Sequence, residues 1–236
     1  DITILQNGNI LAICTETKTQ EEALAKGINN INGPMRLDMI IEIEPVGIDE
    51  ANIVWEWRFW DRLIQDANPN LENYAIISDH PELLDINLSD YGNGGLNNNN
   101  GINDWNHLNC ISHHSILDQL VISSRHMNEF YVIDHSTTTE EAAGHSLGEY
   151  GKGGDFLYRW GNPKNYKRGD SSDQILGAQH GVYWIPDGYP GAGNLLLFNN
   201  HQEHYGSGNP NNRSAVFEID TPMNSEGEYQ INEGEP

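Results

Sequence analysis

Lysine and arginine are scarce: the 236-residue chain has 12 of them against 35 Asp and Glu, a net charge of −23 at pH 7. Affinity for nucleic acid comes mostly from cations set against phosphates, and an anionic membrane surface asks for the same. Both partners are excluded. Long hydrophobic runs are missing too. No stretch reaches the roughly 18 apolar residues that a spanning helix needs. Asp1 opens no charged-then-apolar leader, so any signal peptide has been removed or is not part of this sequence. Cysteine is down to Cys14 and Cys110, both in apolar strand-like runs. Two thiols can pair, but buried free cysteine is the plainer reading. Against these shortages stand 24 Gly and 29 Asn, which make turns many and long helices few. Hydrophobic residues at 37% and six Trp supply enough burial for a fold, despite a mean hydropathy of −0.61. An acidic, Asn-rich, Lys-poor composition suits a secreted or periplasmic protein.

Short strand-like segments dominate, and they recur in one order. Ile10–Ile13, Met39–Ile43 and Ile53–Trp57 are β-branched or aromatic runs bounded by Gly, Pro or Asn. Leu120–Ser123, Glu129–Asp134 and Phe156–Trp160 repeat the series, and Asn194–Phe198 followed by Ala215–Asp220 begins it again, fading near Tyr229. Each copy reads as a turn, a strand, a strand ending in an acidic residue, and an aromatic strand. Asn7-Gly8-Asn9, Leu117-Asp118-Gln119 and Ala192-Gly193-Asn194 occupy the matching turns. Copies two and three add an upstream strand, His107–Ile111 and His180–Ile185. Four short antiparallel strands per repeat are the pattern of a propeller blade; an ordinary β-sandwich is the alternative.

The expected fold is therefore all-β, a β-propeller of four-stranded antiparallel blades with short helical insertions. Residues 1–236 read as one propeller region, with blade-like repeats at about 1–57, 105–160 and 178–230 and an inter-blade insertion at 58–104. Closed propellers use about 4–8 blades, so some three blades form a partial propeller. The sequence begins inside one blade and stops inside another, which reads as part of a longer chain whose remaining blades are its partner. Two capping boxes, Thr19 with Glu22 and Thr138 with Glu141, start short helices. Another helical turn is expected over 59–65, where Trp60, Leu63 and Ile64 share a face. Asp85 to Asn103 reads as a long polar loop.

Metal motifs are absent: there is no His-x-x-x-His, His-x-His or Cys-x-x-Cys, and His113 and His114 are adjacent, which on a strand sends them to opposite faces. His201 and His204 beside Glu203 read as a solvated loop rather than a zinc site. Asp85, Asn87, Asp90 and Asn93 offer hard oxygens for a structural Ca²⁺ but miss the EF-hand spacing. No cofactor and no metal ligand is otherwise expected. His107 and His180 stand out because each begins the first strand of its repeat, the strand that lines the channel of a propeller. Either alone could be a histidine satisfied within its blade; at matched positions they converge on one pocket. Arg213 and Arg125 lie at turn positions, where a planar guanidinium grips sulfate or phosphate oxygens or simply pairs with the abundant carboxylates.

Asp104-Trp105-Asn106-His107-Leu108-Asn109, Ile122-Ser123-Ser124-Arg125, Val132-Ile133-Asp134, the run from Asp155 to Pro163, Gln179-His180 and the run from Gly193 to Asn200 resemble the arylsulfotransferase family. These are bacterial β-propeller enzymes that use aryl sulfates and no nucleotide donor. The resemblance spans nearly the whole chain. It implies ping-pong sulfuryl transfer from a phenolic sulfate ester to a phenol through a sulfo-histidine, with His107, His180 and Arg213 matching sulfate-holding positions. It also implies that the family nucleophile belongs to a later blade, beyond Pro236, which leaves His180 as the candidate here and the 236-residue chain inactive alone. A secreted, non-catalytic propeller that binds ligands or matrix partners is the alternative, and a propeller hydrolase or lyase with an axial metal is a third reading.

Overall fold

Alternating β-branched and aromatic residues build an all-β molecule, whose computed structural model describes residues 1–88, 103–201 and 213–230. Sheet one takes β1 (Ile2–Ile4), β2 (Ile10–Lys18), β3 (Met35–Val46) and β4 (Glu50–Arg58) in chain order, all antiparallel. The 58–104 stretch adds two short parallel pairs. In one, β5 (Leu63–Ile64) pairs with β6 (Leu84–Asp85). In the other, β7 (Asn103–Asp104) pairs with Met35 and Arg36 of β3, beyond the point where β4 stops at Met39. Sheet two is β8 (Leu108–His114), β9 (Gln119–Ser124), β10 (Glu129–Asp134) and β11 (Phe156–Trp160), again in chain order. Sheet three is β12 (His180–Trp184), β13 (Leu195–Asn199) and β14 (Ala215–Ile219).

The repeated segments hold equivalent places. Leu120–Ser123 lies in the second strand of sheet two, and Leu195–Phe198 in the second strand of sheet three. The matched turns share a backbone as well: Gly8, Asp118 and Gly193 all have left-handed φ, at 91°, 47° and 90°. Four expectations need correction. Sheet one has an upstream strand, β1, like the other two. Among the described residues sheet three has three strands, with Met223 and Tyr229 forming only a bridge. The helical turn at 59 is a 3₁₀ turn ending at Arg62, because Leu63 and Ile64 go into β5. Finally, not every pair is antiparallel, as β5–β6 and β3–β7 establish.

Sheet two is the middle layer. Every residue of β9 and β10 is buried, and alternation sends them to two different cores. Leu120, Ile122, Tyr131 and Ile133 join Trp57, Phe59 and Phe156 toward sheet one. Val121, Phe130 and Val132 join Trp184, Leu195 and Leu197 toward sheet three. The first strands lie side by side: Thr3 Oγ1 donates to Ile111 O at 2.7 Å, Asn109 Nδ2 to Gln179 O at 2.7 Å, and the Cys110 thiol to Val182 O at 3.1 Å. Cys14 and Cys110 are free. Both capping boxes form, on α1 (Gln20–Ala25) and α2 (Thr139–Ala142). Arg159 is buried and grips Glu129 with two bonds, Nε to Oε1 at 2.9 Å and Nη2 to Oε2 at 2.6 Å. Tyr131 and Asn165 also donate to Glu129, so the buried charge is satisfied. No described helix is long and apolar enough to cross a membrane.

Candidate functional site

The β9–β10 turn and the starts of β8 and β12 meet at one end of sheets two and three. His107 does not begin β8 but precedes it, with a left-handed φ of 51°. Its carbonyl accepts the Arg125 N–H at 3.0 Å. The same backbone conformation recurs at Ala178, φ 50°, whose carbonyl accepts from Asn200 Nδ2 at 2.5 Å. The structural counterpart of His107 is therefore Ala178. His180 stands two residues further on, where it pairs with Phe198.

Despite that offset the two histidines are neighbours in charge. Burial lowers the His180 pKa, and the positive charges of Arg125 and His107 lower it further. Such shifts keep the ring neutral at neutral pH. His107 Nδ1 donates to Asp104 Oδ2 at 2.6 Å, and Arg36 Nη2 lies 3.2 Å from the same oxygen. Burial raises the Asp104 pKa, but the His107 and Arg36 contacts outweigh it and the net shift is downward. Asp38, beneath them, is pushed up to about 6 by burial and by the nearby Asp104 charge, against the hydrogen bond from Leu108 N.

His126 joins the group from the β9–β10 turn. Its ring centroid lies 4.8 Å from that of His107, and its Nδ1 donates to Asp104 O at 3.0 Å. Burial lowers its pKa, as does the charge of His107. Directly before the two histidines, Asn106 and Gln179 are fully buried. Asn106 Nδ2 and Gln179 Oε1 have no hydrogen-bond partner among the described residues.

Arg213 is exposed, just ahead of β14. The neighbouring Ser214 Oγ donates to Asn200 O at 3.1 Å, which puts Arg213 at the same end of sheet three as His180. The arginine whose charge acts on His180 is Arg125. Sequence reasoning passed over His126, Asp104 and Asp38; the three-residue spacing of Asp104 and His107 was the available signal.

The Ca²⁺ set falls partly outside the described residues, where Asp90 and Asn93 lie, as do Glu203 and His204 of the polar loop. Asp85 and Asn87 are turned to the chain itself. Asp85 Oδ1 accepts from Asn87 N at 2.8 Å and Asn87 Oδ1 from Asn29 N at 2.7 Å.

No curated protein matches this sequence. The family described as Arylsulfotransferase (ASST) matches it over residues 1–235. With virtually the whole length matched, the chain belongs to the arylsulfotransferase family.

Proposed function

We propose that the protein is a nucleotide-independent sulfotransferase of the periplasm or extracellular space, built as a β-propeller, that moves a sulfuryl group from a phenolic sulfate ester to a phenol through a sulfo-histidine. The observation that carries this reading is the meeting of the His107 and His180 strand starts with Arg125 at one end of two adjoining sheets, where Arg125 N–H donates to His107 O at 3.0 Å and Asn109 Nδ2 to Gln179 O at 2.7 Å. The propeller reading is supported by three meanders in chain order whose first strands adjoin.

In the first half-reaction an imidazole nitrogen of His180 attacks sulfur. The N–S bond forms, the S–O bond to the aryl group breaks, and the electron pair leaves on the phenolate. In the second, the acceptor oxygen attacks the same sulfur, its proton passes to solvent, and the N–S electron pair returns to the ring. Splitting the transfer in this way is nucleophilic catalysis. A neutral ring is what a nucleophile needs, and the lowered His180 pKa supplies it. His107, held by Asp104, and the guanidinium groups of Arg125 and Arg213 grip the sulfuryl oxygens as charge moves to the leaving oxygen. A phenol with a pKa near ~10 is a workable leaving group.

The test follows phenol release from p-nitrophenyl sulfate by the native protein, with and without a phenolic acceptor and without nucleotide. The expected result is acceptor-dependent release and, without acceptor, a histidine peptide heavier by one SO₃ group. Release at full rate without acceptor would make the protein a sulfatase. No release across several aryl sulfates would favour a ligand-binding propeller.

A further inference from the structure

The opposite end of β8 carries a second cluster, roughly 20 Å from His107 along the strand. His113 Nε2 and His135 Nδ1 lie 2.8 Å and 2.7 Å from a single oxygen, Oδ1 of Asp118. The three donor atoms all fall within 4.8 Å of one another. His135 Nε2 meets Glu42 Oε2 at 2.9 Å, and Asn9 Nδ2 holds the other Glu42 oxygen at 2.5 Å. Rigid elements position each group. His113 is in β8, Glu42 is in β3, and the backbone N–H of His135 donates to Asp118 O at 2.9 Å, extending the β9–β10 ladder. Trp55 sets its ring edge against His135 at 4.7 Å.

We propose that His113, His135 and Asp118 bind one divalent cation of the zinc type, with Glu42 as the outer carboxylate that orients His135. The proposal is independent of the sulfuryl-transfer reading and concerns other residues. The donor set comes first. Two imidazoles and one carboxylate suit Zn²⁺ and leave a fourth position open, whereas Ca²⁺ and Mg²⁺ take oxygen ligands.

Counting hydrogens points the same way. Without a cation, both histidines must bring a hydrogen to one Asp118 oxygen, and His135 must bring another to Glu42. His135 is then an imidazolium locked between two carboxylates. A cation replaces the two hydrogens at Asp118 and leaves His135 neutral, with Nε2–H donated to Glu42. That is the usual outer arrangement of a zinc-bound histidine. The two nitrogens stand 2.7 and 2.8 Å from the Asp118 oxygen, and ligand atoms around tetrahedral zinc are about 3.3 Å apart.

At the equivalent turn the other two sheets use Gly8 and Gly193, both with positive φ, while sheet two keeps Asp118 at 47°. Glycine is the usual residue at positive φ, so this turn carries a carboxylate where the others carry no side chain. The cluster also lines a cleft of about 690 Å³ together with Glu42, Trp55 and Thr137, which leaves room for a fourth ligand.

The test titrates Zn²⁺ into chelator-treated protein in excess Mg²⁺, read by calorimetry and by histidine ring resonances. One tight equivalent is expected, shifting the His113 and His135 resonances and leaving those of His107 and His126 in place. Asp118→Asn and His135→Ala should abolish that equivalent, and Glu42→Gln should weaken it roughly 10–100-fold. His126→Ala, in the other histidine group, should keep it. The wild-type resonances need no variant to fold. The proposal is overturned if no tight equivalent binds, if the shifts fall on His107 and His126, or if Asp118→Asn and His135→Ala, still folded by circular dichroism, bind zinc as the wild type does.

Discussion

Histidines at the two ends of β8 meet different charges: His180 lies near Arg125 and His107, His135 between Asp118 and Glu42. Near His107 the charges felt by His180 are positive, those of Arg125 and His107, and they add to burial in lowering its pKa. Near His113 the neighbours are carboxylates. Burial works against a charged His135, but the hydrogen bonds and charges of Asp118 and Glu42 outweigh it and raise its pKa. Asp118 in turn is lowered by the hydrogen bonds of His113 and His135. A ring held neutral suits the nucleophile proposed for His180, and a ring set between two carboxylates suits the cation site proposed at His135. What histidine does here is decided by the charges that the flanking sheets bring to each end.

Both ends hang on sheet two, so the largest expected effect comes from its buried ion pair. Glu129→Gln leaves Arg159 without its two-bond partner and should lower unfolding free energy by about 3–5 kcal/mol. Denaturant unfolding at neutral pH checks it, and equal loss at both ends is the outcome.

Asp38 separates the ends more finely, because it underlies only the His107 group. Its folded pKa of about 6 exceeds the ordinary 3.8, so the folded state keeps the proton longer than the unfolded chain. Stability from this group is full below the unfolded value and falls as pH rises through about 6. Asp38→Asn should remove that fall, which amounts to about 3 kcal/mol by linkage. Paired unfolding curves across this window measure it.

Smaller effects sharpen the cationic end. Arg213→Lys keeps the charge but loses the planar fork and should reduce sulfuryl transfer about tenfold, with the melting temperature unchanged. Arg125→Gln removes a positive charge acting on His180. Its pKa should rise, and the acidic limb of the kcat/KM profile should move to higher pH. An unmoved limb would detach Arg125 from the site.

Much of this frame was legible in the residues. β10 and β11 run over the very residues their alternation marks, Glu129–Asp134 and Phe156–Trp160. Both capping boxes hold because their signal is local. What escaped was long-range pairing. β7 joins β3 across 68 residues of chain, and no local pattern encodes that. The His107–His180 match was read from strand starts, but β8 begins only at Leu108, and the left-handed backbone of His107 recurs at Ala178. The cation cluster escaped for a related reason. Adjacent His113 and His114 do face opposite ways, His114 against Trp184 at 5.2 Å. Asp118 is only five residues beyond His113, but His135 follows β10 and Glu42 lies in sheet one, so no spacing motif announces the cluster.

The most direct measurement compares the two ends in one assay, phenol release from an aryl sulfate to a phenolic acceptor by the native protein. His107→Ala should lower turnover roughly 10²–10³-fold and His180→Ala, which removes the attacking nitrogen, by far more, while His113→Ala and Asp118→Asn should leave turnover near that of the wild type. Equal losses at both ends, or a loss confined to His113 and Asp118, would contradict the assignment of sulfuryl transfer to the His107 end.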